Sequence, residues 1–388
     1  MSANEPIRHV YILGAGASMP LGGPSFNQLL TDNPIVRRLL RINEESEQTP
    51  EIKFIKNVHG SVKSLCACFG IDAEQVDVEQ LLEHLDYCET TPDEKLVEQV
   101  RGQLNLPSSN ILSNKLADIN NWIRIRLAIE TSAFLTLLPD DSERWDPYKT
   151  WFQSLSEHDT ILTFNYDGVV EKAASLASRP YFEKNASQAS VAALDCPSVG
   201  MPPLMKLHGS ADWSYQFKFP DKFETVSIDS MDIFSKYKNW TTFIGSQKHV
   251  VLGSPGMSKK RLSSVFFKPL WDKAGNELKR AHVISIVGYS MPATDNMAKQ
   301  LILESIAGNQ QLKQINVVLG PDSNSSRARR VYELCKQVAL SRNHAVVSID
   351  GHLSEREKIV RLSSLYAQDF LPLHRPKTLR DIELSRLI

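Results

Sequence analysis

Residues 9–18 read His-Val-Tyr-Ile-Leu-Gly-Ala-Gly-Ala-Ser (HVYILGAGAS). The first five are β-prone and carry no polar/apolar alternation, as expected of a strand buried on both faces of a parallel sheet. Working outward, similar short runs recur at Thr160–Phe164 (TILTF), His249–Leu252 (HVVL), His282–Val287 (HVISIV), Ile315–Leu319 (INVVL) and Ala345–Ile349 (AVVSI). Helix-spaced stretches separate several of them, notably Asp295–Ala307 and Ser325–Leu340. Strand, helix, strand in succession predicts an α/β fold with a doubly wound, mostly parallel, Rossmann-like sheet.

The interval between the first two runs is different. Asp77–Tyr87 (DVEQLLEHLDY) has apolar residues at 78, 81, 82 and 85, which is helix spacing. Asn114–Leu138 is a longer helical pattern, with Arg124, Arg126 and Glu130 expected on its polar side. The spacing predicts a large helical insertion over 26–155. The sheet domain is then 1–25 plus 156–350, and 351–388 is a helical tail broken at Pro372 and Pro376. At roughly 100–200 residues per domain, 388 residues suit that division.

Forty-four basic residues against 45 acidic ones leave a formal charge of −1. That balance excludes a protein devoted to coating nucleic acid or an anionic membrane. Five cysteines (Cys66, Cys68, Cys88, Cys196, Cys335), few and odd in number, suit a reducing cytosol. The opening MSANEPIRHV has no apolar signal core. The longest uncharged stretch, His9–Thr31, is interrupted by four glycines and two prolines, so no membrane span is expected. The expectation is a cytoplasmic protein.

Several candidate functional residues stand at strand ends, where ligands bind in parallel sheets. Gly14, Ala15, Gly16 and Ser18 follow the first run, in a setting that lets a phosphate approach the backbone. Met19 replaces the third glycine of G-x-G-x-x-G, which disfavours a hydride-transferring dehydrogenase. Asn165 and Asp167 (TFNYD) follow the second run; they place an amide and a carboxylate beside a cleft, or simply close an Asx turn. Lys206–Ser210 (KLHGS) supplies His208, a candidate base near neutral pH. Gly288 and Ser290 (VGYSMP, with Asp295 close behind), then Gly320 and Asp322 (GPD), end the next two runs. Each also reads as an ordinary strand-to-helix turn.

In this order the five motifs resemble the sirtuin superfamily, and specifically its prokaryotic sirtuin-like, NAD-cleaving branch of antiphage defence. GAGAS matches the family's Gly-Ala-Gly loop, FNYD stands where sirtuins have Gln-Asn-Ile-Asp, HGS supplies the histidine, and GYS replaces Gly-Thr-Ser. DVEQLLEHL, Lys268–Trp271 (KPLW) and GYSMPATD also look like this branch. The resemblance spans about His9 to Ile349. It implies Asn165, His208 and Asp167 as catalytic residues. It also implies that Gly14–Ser18, Gly288, Ser290, Gly320 and Asp322 hold NAD, which is the substrate.

Two departures bear on the chemistry. Deacylase sirtuins carry a four-cysteine zinc module after the histidine. Here no cysteine lies between Cys196 and Cys335, and no C-x-x-C occurs, so no metal is expected. Pro24-Ser25-Phe26 stands where deacylases have an Asp-Phe-Arg type loop. The expected activity is therefore NAD+ glycohydrolysis to nicotinamide and ADP-ribose, causing abortive infection. Alternatives are a non-catalytic sensor of an NAD-derived nucleotide, and a serine hydrolase using Ser290 with Asp322 and His344, although G-x-S-x-P is not a nucleophile elbow. The expected partners are further copies of the chain and a HerA-type hexameric ATPase, with nucleic acid acting only through such a partner and no membrane. The tail LRDIELSRLI, with Leu379, Ile382 and Leu387, is one candidate docking surface.

Overall fold

The computed structural model describes residues 6–25, 28–31, 50–72, 76–90, 95, 112–179, 188–190, 200–216, 225–228, 248–253, 267–322, 324–341 and 359–373. In chain order the elements are β1 (His9–Leu13), α1 (Pro50–Phe69), α2 (Val78–Thr90), α3 (Leu112–Leu137), α4 (Asp146–Ser154), β2 (Thr160–Thr163) and α5 (Val169–Leu176). Next come β3 (Gln188–Ser190), β4 (Leu204–Lys206), β5 (Gly209–Gln216), β6 (Thr225–Ile228) and β7 (Lys248–Leu252). Then follow α6 (Lys268–Arg280), β8 (Val283–Val287), α7 (Asn296–Gly308), β9 (Gln314–Val318), α8 (Ser326–Ser341), β10 (Val360–Ser363) and α9 (Ala367–Phe370).

Six strands form one sheet in the order β10-β9-β8-β1-β2-β4. Every pairing in it is parallel. Counting this sheet's strands alone, the order is 6-5-4-1-2-3, the doubly wound arrangement with its switch point between β1 and β8. All five residues of β1 are buried, which is why HVYIL shows no alternation. On one face, Val10, Ile12, Ile284 and Ile286 pack with Leu278, Ile302 and Val331 of α6, α7 and α8. On the other, Tyr11, Leu13 and Ile161 pack with Trp151, Ala173 and Phe370 of α4, α5 and α9. Two buried faces and a crossover helix after β2, β8 and β9 give the expected α/β class.

A second core joins α1, α2 and α3 to an antiparallel sheet of order β3-β6-β5-β7. Leu65, Leu82 and Ile123 meet Val250 and Leu252 there. Here HVVL (249–252) departs from expectation. It pairs antiparallel with β5 rather than joining the parallel sheet, because a four-residue apolar run does not encode its partner's direction. Arg124, Arg126 and Glu130 are also not on a polar face. All three are buried, because α3 is enclosed by α2, β7 and the segment at 28–31. Arg124 pairs with Asp86 at 2.6 Å and Arg126 with Glu130 at 2.7 Å, and Arg126 donates to the Thr31 carbonyl.

The parallel sheet does not end near Ile349. Val360–Ser363 adds β10 beside β9, within the stretch expected to be helical. It is an edge strand reading VRLS, mostly half-buried, and therefore lacks the apolar signature of the central strands. α4 packs Tyr148, Trp151 and Phe152, with Trp145 just before it, into the core on one face of this sheet. AVVSI (345–349) and the tail at 379–388 lie outside the described residues. Among the described residues no helix is long and apolar enough to cross a membrane.

Candidate active site

The tips of β1 and β8 meet beyond the sheet's C-terminal edge through three glycines. Gly14 N donates to Val287 O (3.0 Å) and Gly16 N to Gly288 O (3.1 Å). A Cβ on Gly14 would stand 2.6 Å from the Gly288 carbonyl, and one on Gly16 would stand 2.7 Å from Gly288 Cα. Gly288 itself has φ +67°, and its Cβ would lie 2.3 Å from Ala17 N. The GAG spacing thus serves backbone-on-backbone packing across the switch point. Ala17 and Ser18 donate back to Gly14 and Ala15 carbonyls, so four of the loop's five amides have protein acceptors.

On the β2 side, Asn165, Ser18 and Asp167 form one hydrogen-bonded group. Asn165 Nδ2 donates to Gly14 O (2.9 Å) and to Ser18 Oγ (3.1 Å). Ser18 Oγ donates to Asp167 Oδ2 (2.7 Å), and Val169 N donates to Oδ1 (3.1 Å). The Asn165 amide nitrogen therefore has two acceptors, and among the described residues no donor meets its oxygen. Lys206 Nζ reaches the Asp167 carbonyl (2.5 Å) and the Glu171 carboxylate (2.8 Å). Burial opposes the Lys206 charge, but Glu171, Asp212 and Asp167 outweigh it and hold the ammonium above its usual range. Burial pushes the Asp167 carboxyl up, more than Lys206, Ser18 and the Val169 amide pull it down. Ser18, Asn165 and Asp167 line a pocket whose apolar wall includes Tyr148, Trp151 and Leu371. Tyr148 OH donates to Ala17 O at 2.7 Å, tying α4 to the loop.

His208 belongs to a second group, between β4 and β8. Its Nε2 lies 3.2 Å from Asp295 Oδ2, with the two side chains only 6% and 1% exposed. Tyr289 OH donates to the same oxygen at 2.8 Å. The Phe164 ring lies 4.9 Å from the imidazole and stacks on Tyr289 at 4.4 Å, joining the β2 and β8 tips. The Trp271 ring lies 6.4 Å from His208 and nearly parallel to it. Its Nε1 donates to Leu207 O, which explains the place of KPLW at the start of α6.

Gly320 and Asp322 sit farther along the edge, at the tip of β9. Gly320 has φ +98° and faces the ring of Tyr366, while Asp322 is exposed. Ser290 is half-buried, and its carbonyl accepts from Arg330 at 2.8 Å. Of the alternative Ser290, Asp322 and His344 set, His344 lies outside the described residues, as does Phe26 of the PSF segment. Among the described residues no group of three or more His, Cys, Asp or Glu side chains is placed to hold a metal. The site also includes Asp295, Lys206, Glu171, Tyr148 and Trp151, none of which was singled out from sequence as a site residue. Only Asp295 left a readable trace, as an aspartate opening a helix shortly after GYS.

Residues 159–340 match a family model described as the SIR2-like domain. That range contains Asn165, Asp167, His208, Gly288, Ser290, Gly320 and Asp322, and it lies downstream of Gly14–Ser18. Among solved structures, one of Sir2Tm bound to a propionylated peptide aligns over 100% of this chain and 96% of its own, with 12% identity and a TM-score of 0.34. A structure of SIR2 with the inhibitor EX-527, 2′-O-acetyl-ADP-ribose and a deacetylated p53 peptide aligns over 100% and 97%, again with 12% identity and a TM-score of 0.34. A third, on the structural basis of sirtuin substrate affinity, has 15% identity over 87% of this chain and 96% of its own, with a TM-score of 0.34. No curated protein matches the chain.

Proposed function

We propose that the chain, whose residues 159–340 match the SIR2-like domain model and so suggest NAD-dependent activity, is an NAD+ glycohydrolase. It binds NAD across the β1/β8 switch point and cleaves it to nicotinamide and ADP-ribose. The observation that carries this reading is that the tips of neighbouring strands β2 and β4 carry an anchored amide, Asn165, and a buried imidazole beside a carboxylate, His208. The loop at Gly14–Ser18 flanks the pyrophosphate, while Gly288, Ser290, Gly320 and Asp322 face the adenosine half.

Cleavage breaks the bond between C1′ of the ribose and the nicotinamide nitrogen. The electron pair leaves with neutral nicotinamide, so the leaving group needs no proton. The sugar passes through an oxocarbenium-like state, as in other glycoside hydrolysis. The Asn165 amide oxygen accepts from the ribose or from the attacking water and aligns it. Water adds at C1′, and His208 takes its proton as general base before passing it to solvent. Asp167 acts by orienting Ser18, and with it Asn165. In the cell this activity would deplete NAD during phage infection and abort it, in the manner of the branch the motifs resemble.

The test incubates the purified chain with NAD and follows nicotinamide by chromatography. Asn165→Ala and His208→Ala should each lower kcat by about 10²–10⁴-fold while the melting curve is retained. Folded variants that keep wild-type turnover would refute the assignment. Binding without release of nicotinamide would make the chain a sensor instead.

A further inference from the structure

We propose that Asp295 is the positioning residue for His208, fixing which ring nitrogen carries the lone pair. For its kinetic consequence this rests on the NAD-cleavage reading above. Asp295 is fully buried at the end of the Gly288–Thr294 loop and caps α7, with Oδ1 accepting from Ala298 N at 3.4 Å. Capping needs only one oxygen, and Ser, Thr or Asn would supply it as well. The second oxygen does something capping does not explain. It accepts a hydrogen bond from the Tyr289 hydroxyl and faces His208 Nε2 at 3.2 Å.

An ionised carboxylate offers only lone pairs, so an Nε2 held 3.2 Å from it is favoured in the protonated form. The neutral imidazole then keeps its lone pair on Nδ1, which becomes the atom that accepts a proton. The groups packed around the ring restrain its rotation: Phe164 and Tyr166 after β2, Trp271 from α6, and Tyr289 and Asp295 beyond β8. When Nδ1 takes a proton, the imidazolium forms against a buried carboxylate. There the Coulombic gain is larger than in water.

Asp295→Asn separates the two tasks. Its Oδ1 retains the cap, while Nδ2 replaces Oδ2 and donates to Nε2, which forces the proton onto Nδ1. The expected result is a fall in kcat of about 10²–10⁴-fold with KM for NAD essentially unchanged. In parallel, ¹⁵N-imidazole NMR of the full chain, with His208 assigned by loss of its signal in His208→Gln, should show Nε2–H in the wild type. The Asp295→Asn spectrum should show Nδ1–H. A wild-type His208 in the Nδ1–H form overturns the proposal, as does an Asp295→Asn enzyme with wild-type kcat. If that variant fails to fold, the wild-type spectrum decides, with Asp295→Ser as a second variant that keeps the cap. If the wild type releases no nicotinamide, the function reading fails, and the tautomer still decides the role of Asp295.

Discussion

Asp167 has its carboxyl oxygens on Ser18 and Val169 and its backbone carbonyl on Lys206, all away from bulk water. Burial dominates and raises its pKa above the unfolded value. The native state therefore binds this proton more readily than the unfolded chain does. The stabilisation it confers is complete below the unfolded carboxylate pKa of about 3.9 and is lost as pH rises through the folded value. Asp167→Asn removes the group from that balance and keeps its shape. Thermal melts between pH 4 and 8 should show a flatter pH dependence for Asp167→Asn than for wild type; parallel curves would count against the assignment. Asn165 and Asp167 could be picked out as candidates because they follow the short run of β2, and His208 only as a histidine beside a glycine, since β4 carries no such run. Lys206 and Glu171 were not, since their pairing across 35 residues exists only once α5 packs beside β4.

At the scale of elements, the junction between the β1 and β8 tips is the most constrained feature. Gly288 has a positive φ and no room for a Cβ, whereas Gly320 has a positive φ with its nearest neighbour at 3.9 Å. Gly288→Ala should therefore lower stability by at least about 1–3 kcal/mol. Gly320→Ala should cost less, because it meets only the backbone penalty. Urea midpoints of the two variants decide this, and an equal loss would show that the close approach is unimportant. The central strands were readable because burial on both faces leaves an uninterrupted apolar run. β4 and β10 were not, being short edge strands that carry Lys206 and Arg361. The antiparallel sheet was hidden for another reason: pairing direction depends on the connecting chain, and a single strand's sequence does not contain it.

At the scale of the molecule, the described residues pack into three large cores, and the described surface carries exposed Met19, Tyr366 and Leu373. An NAD-destroying enzyme would harm its own host if it ran unchecked. We therefore expect the purified chain to be a homo-oligomer of weak activity, raised by a HerA-type hexameric ATPase or by nucleic acid acting through it. Light scattering combined with NAD turnover checks this, and a fully active monomer needing no partner would sink it.

The position of β1 also has a consequence in time. It is synthesised well before its sheet neighbour β8, with His9 reaching Ser285 across 276 residues. At about 5–20 residues per second, a ribosome needs roughly 14–55 seconds to make that stretch. Throughout, HVYIL is an apolar strand with one edge unmatched, a natural client for chaperones. The Gly14–Ser18 loop has no Gly288 to rest on until β8 has been made. Until β8 emerges, a nascent chain lacks the junction between the β1 and β8 tips.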